Sequence, residues 1–179
     1  MSLAIGSVES PIGNVLVGMS PRGLALVSFG DEIAPEEMER LGRLYEGVVE
    51  DPGKTGRACR QIEEYFAGRR RRFALDLDLR AVTPFQRAVL RECASVEFGK
   101  ITTYGELARA VGSPRAARAV GGALGRNPVG IVVPCHRVLA GDGSIGGFTG
   151  GLAIKRFLLD HEGIAVRSSG GGESQARRP

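Results

Sequence analysis

The sequence has few of the residues that build metal sites and disulfide frameworks. It contains three cysteines and two histidines among 179 residues. Cys59, Cys93 and Cys135 are far apart and odd in number, and no CxxC pair occurs. These features speak against a disulfide-stapled fold and against a tetrahedral zinc site. We therefore predict a protein with no bound metal and no other cofactor.

Long apolar runs are also missing. No stretch approaches the ~18 apolar residues of a membrane helix, and the opening MSLAIGSVESPIG lacks the regions of a secretory signal. We expect no membrane association and a cytoplasmic location, with the nucleoid as the site if the source is prokaryotic. An apolar content of 42% still allows a sizeable core in one large or two small domains.

Clustered arginines are present. The formal net charge is only +4, but one block lies at 69–72 and more arginines are spread over 109–137. Clustered cations can bind a polyanion. For the block at 69–72, a solvated surface at the end of a helix is the favoured interpretation.

The first 80 residues predict an α/β domain with a small antiparallel sheet and helices. Apolar runs at 15–17 and 24–29 flank SPRG, a sequence typical of a hairpin turn. Residues 35–45 and 55–66 have helical spacing, and residues 73–79 alternate like a strand.

Residues 83–165 predict a second, mainly α-helical domain, followed by a disordered polar tail at 166–179. Thr83 with Gln86, and Thr103 with Glu106, match the capping box that opens a helix. Ser113 is expected to cap a further helix over 115–124. Two short helices joined by a glycine turn form a helix-turn-helix outline. A last amphipathic helix is predicted within 150–163.

The helix predicted over 115–124 is unusually slim. It is rich in alanine, contains Gly121 and Gly122, and carries Arg118 in their midst. Such a helix suits close packing on another helix. It equally suits entry into the DNA minor groove, which is only ~6 Å wide.

The segment 134–138, PCHRV, is the strongest chemical signal. It follows an apolar, strand-like run at 130–133. The thiol of Cys135 and the imidazole of His136 are therefore expected to lie together at the end of a rigid element. A thiol becomes a nucleophile when a basic neighbour promotes the thiolate, although an inert core cysteine is the commoner case. Since adjacent residues of an extended chain point to opposite sides, His136 is expected to act on Cys135 through a water or a short relay. Glu162 is the candidate that orients the imidazole.

These motifs, in this order, resemble the O6-alkylguanine-DNA alkyltransferases. The resemblance is continuous over about 83–163 and looser over the first 80 residues, where it lies chiefly in SPIG at 10–13. The matching segments are TPFQ at 83–86, TY at 103–104, AARAVG at 116–121, NP at 127–128, PCHRV at 134–138, GGL at 150–152 and HEG at 161–163.

The resemblance implies DNA repair by direct reversal. A monomer would bind duplex DNA through the minor groove, flip an O6-alkylguanine out and take its alkyl group irreversibly, with O4-alkylthymine as a further substrate. By this resemblance, Cys135 is the alkyl acceptor, His136 is the base that acts through water, and Glu162 orients His136. Tyr104 is the proton donor to guanine, and Asn127 is a structural clamp. The implied DNA-binding residues are Arg118, as the finger that fills the vacated space, with Thr103, Ser113, Arg115 and Ala117. The implied pocket residues are Val138, Gly147, Phe148 and Thr149.

The chain departs from the family pattern at two places. Phe148 stands where some members carry tyrosine, and Arg126 after Gly125 shifts a basic residue at the end of the recognition helix. Two other classes of protein compete with this interpretation. A thiol hydrolase would use Cys135 repeatedly but leaves the helix-turn-helix unexplained, while a damage sensor without chemistry has no need of the cysteine.

Overall fold

The computed structural model describes residues 1–166 and begins with a four-stranded sheet. Strands β1 (Leu3–Ser10), β2 (Gly13–Ser20) and β3 (Gly23–Phe29) form an antiparallel meander. The short β4 (Val48–Glu50) pairs parallel to β1, which gives the order β3-β2-β1-β4. The sheet is therefore mixed, with its antiparallel part as predicted.

The predicted hairpin turn between β2 and β3 is confirmed. Ser20 Oγ accepts from the amide of Arg22 at 3.0 Å, and Gly23 adopts a φ of 131°. A Cβ atom at Gly23 would lie 2.3 Å from the carbonyl oxygen of Asp76, so glycine is required at this position.

The strand predicted at 73–79 is wrong. This segment pairs with β3 only at a single bridge, between Leu24 and Leu77. The side chain of Gln61 bonds both backbone groups of Ala74, at 2.7 and 3.3 Å. The Gln61 side chain thus provides the hydrogen bonds that the backbone of a neighbouring strand would otherwise have made with Ala74.

Helices α1 (Pro35–Gly42) and α2 (Pro52–Phe66) complete this part of the chain. Helix α2 starts three residues earlier than its periodicity suggested, because Asp51 caps it by accepting from the amide of Lys54. Its buried face packs on β1 and β2.

The remainder is mainly helical, as predicted. Helices α3 (Pro84–Ala94), α4 (Tyr104–Ala110) and α5 (Ala117–Leu124) pack on one another. Strands β5 (Thr102–Thr103) and β6 (Val138–Leu139) form a short parallel pair, and α6 (Leu152–His161) closes the described chain. Most of the predicted tail, 167–179, lies outside the described residues.

Only one of the two predicted capping boxes is complete. At α4, Thr103 and Glu106 bond reciprocally. At α3, Thr83 Oγ1 accepts from the amide of Gln86, but the Gln86 side chain donates instead to the carbonyls of Ala123 and Arg126. Gln86 therefore holds the end of α5 rather than the start of its own helix.

The start predicted for α5 is wrong by two residues, and Ser113 does not cap it. The helix begins at Ala117, with Ala116 at the N-cap position and no side-chain cap. The carbonyl of Ser113 accepts from the amide of Ala116 at 2.8 Å. A tight turn thus occupies the place of the expected first helical turn.

The strand predicted at 130–133 is also wrong. Ile131 has a φ of 69°, in the left-handed region, and the backbone groups bond within the segment: the amide of Val133 donates to the carbonyl of Val129 at 2.9 Å. Only Val129 bridges to a strand, at Val27 of β3. This compact turn leads into residues Cys135–Arg137, which form one turn of 3-10 helix.

The sheet part and the helical part of the described chain share an apolar core. One cluster of buried side chains includes Val8 and Val17 of the sheet, Ile62 of α2, Leu90 of α3 and Leu158 of α6. Among residues 1–166, no helix is long and apolar enough to cross a membrane.

Candidate active site

Cys135 lies at the start of the 3-10 turn with only 8% of its surface exposed. Its Sγ accepts from Asn127 Nδ2 at 3.2 Å, and the same Nδ2 donates to the carbonyl of Val133 at 2.9 Å. The Asn127 Oδ1 accepts from the amide of Val129 at 3.1 Å. The predicted clamp residue therefore fixes the turn that carries the thiol and contacts the sulfur itself.

The environment of Cys135 favours the neutral thiol. Burial raises its pKa, while the bond from Asn127 and the positive charge of Lys155 act in the opposite direction. A proton acceptor is consequently needed to produce the thiolate.

His136 is fully buried, follows Cys135 in the chain and is the candidate for that acceptor. Its Nε2 lies 2.7 Å from Glu162 Oε1, and Nδ1 has no hydrogen-bond partner among residues 1–166. Because Glu162 is ionised, Nε2 carries the hydrogen and Nδ1 keeps its lone pair. Burial lowers the pKa of His136 despite the opposing effect of Glu162, so the ring is neutral at neutral pH.

Glu162 is buried, whereas a glutamate at a helix end is usually exposed to solvent. Arg137 donates to it twice, from Nε to Oε2 at 2.7 Å and from Nη2 to Oε1 at 2.9 Å. The Tyr65 hydroxyl donates to Oε1 at 2.8 Å, and the amide of Gly99 donates to Oε2 at 3.3 Å. Burial disfavours the charge, but the bonds from His136 and Arg137 outweigh it and lower the pKa of Glu162 to about 2.

Lys155 is a residue of this site that the sequence analysis missed. It is fully buried, and its Nζ donates to the carbonyl of Val138 at 2.7 Å and to that of Gly147 at 3.2 Å. Burial lowers its pKa to about 8. The sequence contains one signal for it: Lys155 lies three residues before Leu158 on the apolar face of α6, and a charged residue on such a face is expected to be buried.

Arg137 and Tyr65 were missed as well. Arg137 follows His136 directly, so its position in the PCHRV motif was a usable signal. Tyr65 lies 97 residues from its partner Glu162, and no local pattern links the two.

A cavity of about 780 Å³ opens above Cys135. Of the predicted residues, the structure brings seven to its lining, namely Tyr104, Ala117, Arg118, Cys135, Gly147, Phe148 and Thr149. His136, Glu162 and Val138 lie behind it in the interior. Thr103, Ser113, Arg115 and Asn127 are not among its lining residues.

Tyr104 forms one side of the cavity at the start of α4. Its hydroxyl lies 3.5 Å from the carbonyl oxygen of Gly147, and burial raises its pKa, so the phenol stays protonated. A Cβ atom at Gly146 would lie 2.9 Å from that hydroxyl. Gly146, with a φ of 64°, is therefore the residue that lets the loop pass the phenol.

The opposite wall is supported by the N-terminal sheet. The ring of Phe148 lies 5.9 Å, between centroids, from that of Phe29 in β3. A Cβ atom at Gly150 would lie 2.9 Å from Phe148 and 3.0 Å from Phe29. Thr149 Oγ1 donates to the carbonyl of Gly125. The loop that forms this wall is thus held from both sides.

Arg118 is exposed on α5 beside the cavity mouth. The α4–α5 pair turns at Gly112, which has a φ of 73°, and gives the predicted helix-turn-helix outline. Arg115 is exposed in the turn before α5. Within residues 1–166, no group of three or more His, Cys, Asp or Glu side chains is arranged to hold a metal ion.

Comparison with known proteins gives matches over nearly the whole chain. Residues 3–79 match the family model of the 6-O-methylguanine DNA methyltransferase ribonuclease-like domain, and residues 84–164 match that of the DNA binding domain. A methylated-DNA–protein-cysteine methyltransferase of Methanosarcina acetivorans is 40% identical, covering 87% of this chain and 95% of the relative. One from Mycobacterium tuberculosis is 46% identical, covering 87% and 90%.

Solved structures agree. The crystal structure of Mycobacterium tuberculosis OGT in complex with DNA superposes with a TM-score of 0.77 at 35% identity, covering 89% of this chain and 92% of that one. The O6-methylguanine-DNA methyltransferase of Pyrococcus kodakaraensis gives a TM-score of 0.61 at 31% identity, covering 90% and 99%. With both family models and full-length relatives in agreement, the chain belongs to the 6-O-methylguanine DNA methyltransferase family, the methylated-DNA–protein-cysteine methyltransferases.

Proposed function

We propose that this protein repairs DNA by direct reversal, moving the alkyl group of O6-alkylguanine to Cys135. The observation that carries the proposal is the arrangement at the cavity floor. A buried thiol faces the cavity, and the neighbouring imidazole has a free Nδ1 backed by an ionised Glu162. Membership of a family whose relatives are named for this reaction supports it.

The reaction begins with proton removal. The Cys135 proton passes through a water to His136 Nδ1, and the imidazolium that forms is stabilised by Glu162. The backbone amides of Cys135 and His136, the Asn127 amide and the charge of Lys155 all favour the thiolate. The thiolate sulfur then attacks the alkyl carbon, forming the S–C bond as the C–O6 bond breaks.

Departure of guanine requires charge neutralisation. The electron pair of the broken C–O6 bond spreads into the purine ring, where a proton from the Tyr104 hydroxyl neutralises a ring nitrogen. The phenolate then takes a proton from solvent as His136 releases the proton that came from Cys135. Phe148 and Thr149 wall the flipped base, and Val138 and Cys135 offer it backbone carbonyls. Since Lys155 already donates to the Val138 carbonyl, a guanine amino group would share that oxygen with the ammonium. O4-alkylthymine carries the same exocyclic alkoxy group and is proposed as a second substrate.

DNA binding is assigned to α4, the turn and α5, within residues 83–165. Gly121 and Gly122 keep α5 slim enough for the minor groove, and Arg118 fills the space of the flipped base. Thr103, Ser113, Arg115 and Ala117 contact the DNA around it. We propose that the protein acts as a monomer in the cytoplasm, at the nucleoid if the source is prokaryotic.

Intact-mass measurement tests the proposal. The protein is mixed with excess duplex carrying O6-methylguanine, and we expect one methyl group per molecule, located on Cys135 by peptide mapping. A thioether has no leaving group that water displaces under mild conditions, so repair plateaus at one equivalent. Cys135→Ala should still bind the duplex but gain no mass, while Cys59→Ala should behave like wild type.

Each competing function has its own outcome. Repeated turnover beyond one equivalent indicates a hydrolase, and binding without a mass change indicates a sensor. A methyl group on Cys59 or Cys93 instead contradicts the assignment of the acceptor.

A further inference from the structure

Tyr65 connects the N-terminal part of the chain to the residues behind the cavity. It lies on α2 and is fully buried. Its hydroxyl donates to Glu162 Oε1 at 2.8 Å, and its backbone carbonyl accepts from His161 Nε2 at 2.7 Å. Both ends of this residue therefore hold the C-terminal end of α6, where Glu162 lies.

The oxygen that Tyr65 contacts is the one that bonds the imidazole. Glu162 Oε1 accepts from Tyr65, from His136 Nε2 at 2.7 Å and from Arg137 Nη2 at 2.9 Å. An ionised carboxylate only accepts, so the phenol must be the donor. Burial and the negative charge of Glu162 both raise the pKa of Tyr65, which keeps its proton in place.

We propose that Tyr65 is a positioning residue for alkyl transfer, which fixes the Glu162 carboxylate and sets the basicity of His136. The proposal rests on the function proposed above. Its hydroxyl fixes the orientation of the carboxylate, while the two bonds from Arg137 keep the carboxylate in contact with His136. It also draws negative charge from Oε1, so that Glu162 stabilises the protonated imidazole less strongly and His136 stays neutral.

Other groups around His136 and Glu162 influence the same equilibrium. The charged or titratable side chains that act on the pair are Tyr65 of α2, Arg137 of the 3-10 turn and Lys155 of α6. Cys135 and His161 adjoin the pair in the chain, and Cys93 of α3 interacts with Arg137 and Lys155. Removing the Tyr65 hydroxyl leaves all the others unchanged. A difference between wild type and this variant therefore reports on that one donor.

Tyr65→Phe tests the proposal, with Tyr45→Phe as a matched control. Tyr45 is also a buried tyrosine of the N-terminal part, and its hydroxyl donates to the Asp78 carboxylate at 2.8 Å, away from the cavity. Single-turnover transfer from O6-methylguanine duplex to Cys135 is measured from pH 5 to 9. We expect Tyr65→Phe to transfer about three- to tenfold more slowly at the plateau of the pH profile, and Tyr45→Phe to match wild type.

The direction of the pH shift separates positioning from packing. Without the Tyr65 donor, Oε1 is more negative and the pKa of His136 rises, so the acid limb of the profile moves upward by roughly half a unit. If the variant instead loses the contact between Glu162 and His136 altogether, the limb moves downward, and Tyr65 then only supports the packing of α6. An unchanged limb, a downward shift, or equal losses in both variants would each overturn the proposal.

A second measurement does not need transfer activity. The chain has only His136 and His161, so nitrogen NMR titration resolves His136 directly. We expect a higher His136 pKa in Tyr65→Phe and in a second variant, Tyr65→Leu, than in wild type or Tyr45→Phe. If wild type fails to alkylate Cys135, the proposed function is wrong, while this titration still decides the role of Tyr65.

Discussion

Arg137 and Glu162 meet through two parallel contacts, at 2.7 and 2.9 Å, with both side chains buried. Such a fork fixes the guanidinium and carboxylate planes relative to each other. The pair ties the residue after His136 to the C-terminal end of α6. Stability of the fold and readiness of the imidazole therefore depend on the same carboxylate charge.

We expect the free energy of unfolding to fall in acid through this carboxylate. The folded pKa of Glu162, about 2, lies below its usual 4.5, so its contribution is complete above pH 4.5 and is lost towards pH 2. His136, whose folded pKa is lowered from 6.5, adds a further loss that begins below pH 6.5. Urea unfolding at several pH values measures both.

Glu162→Gln provides the comparison. It leaves Arg137 buried without its partner and should lower the free energy of unfolding by about 3–5 kcal/mol at pH 7. Its stability should then depend less on pH between 4.5 and 2. A dependence as steep as that of wild type would show that other carboxylates, such as Asp78 with its lowered pKa, govern acid unfolding.

Arg118→Ala should slow repair far more than it weakens binding to undamaged duplex. The exposed Arg118 lines the cavity mouth, and in its proposed role it offsets the unstacking of the flipped base, so its loss should cost at least about tenfold in transfer rate. We expect phosphate contacts elsewhere to preserve the affinity. Arg115→Ala, which removes an exposed charge outside the cavity, should weaken binding and transfer alike. Equal losses in Arg118→Ala would make it an ordinary phosphate contact.

Phe29 should influence transfer although it lies on β3. Its ring supports Phe148 at the cavity wall, so Phe29→Ala should slow methyl transfer by letting that wall move. A double-mutant cycle with Phe148→Ala measures their coupling in the transfer rate. We expect about 0.5–1.5 kcal/mol, whereas additive effects would place the two rings in independent roles.

Chelation should leave activity unchanged. Cys59 and Cys93 have no histidine or cysteine near them in sequence, and the chain offers few other soft ligands. Protein treated with EDTA should transfer the methyl group at the wild-type rate and unfold at the same temperature. Zinc bound at one equivalent, with unfolding on its removal, would refute this prediction.

Local signals in the sequence predicted local structure well. The caps of α3 and α4 were identifiable because Thr83 and Thr103 bond amides only three residues ahead. The run at 130–133 failed because apolar composition cannot distinguish a strand from a buried turn. There, the left-handed backbone at Ile131 and the Asn127 side chain replace strand pairing.

The candidate site was predictable only in part, for a related reason. Cys135 and His136 stand together in the chain, whereas Tyr65 and Phe29 reach the site from distant segments through tertiary packing. Lys155 is an intermediate case, since a charged residue on an apolar helix face is visible but its partners, the carbonyls of Val138 and Gly147, are not.

One buried apolar cluster contains both Val8 of β1 and Leu158 of α6. It therefore limits which half of this chain can be replaced by the corresponding half of a relative. Two family models meet near residue 80, yet one buried cluster contains apolar side chains from both halves. A chimera joined there would have to match the backbone bond from Val27 to Pro128 and the side-chain bond from Tyr65 to Glu162. Substitutions at these contacts in one half are therefore constrained by the other half.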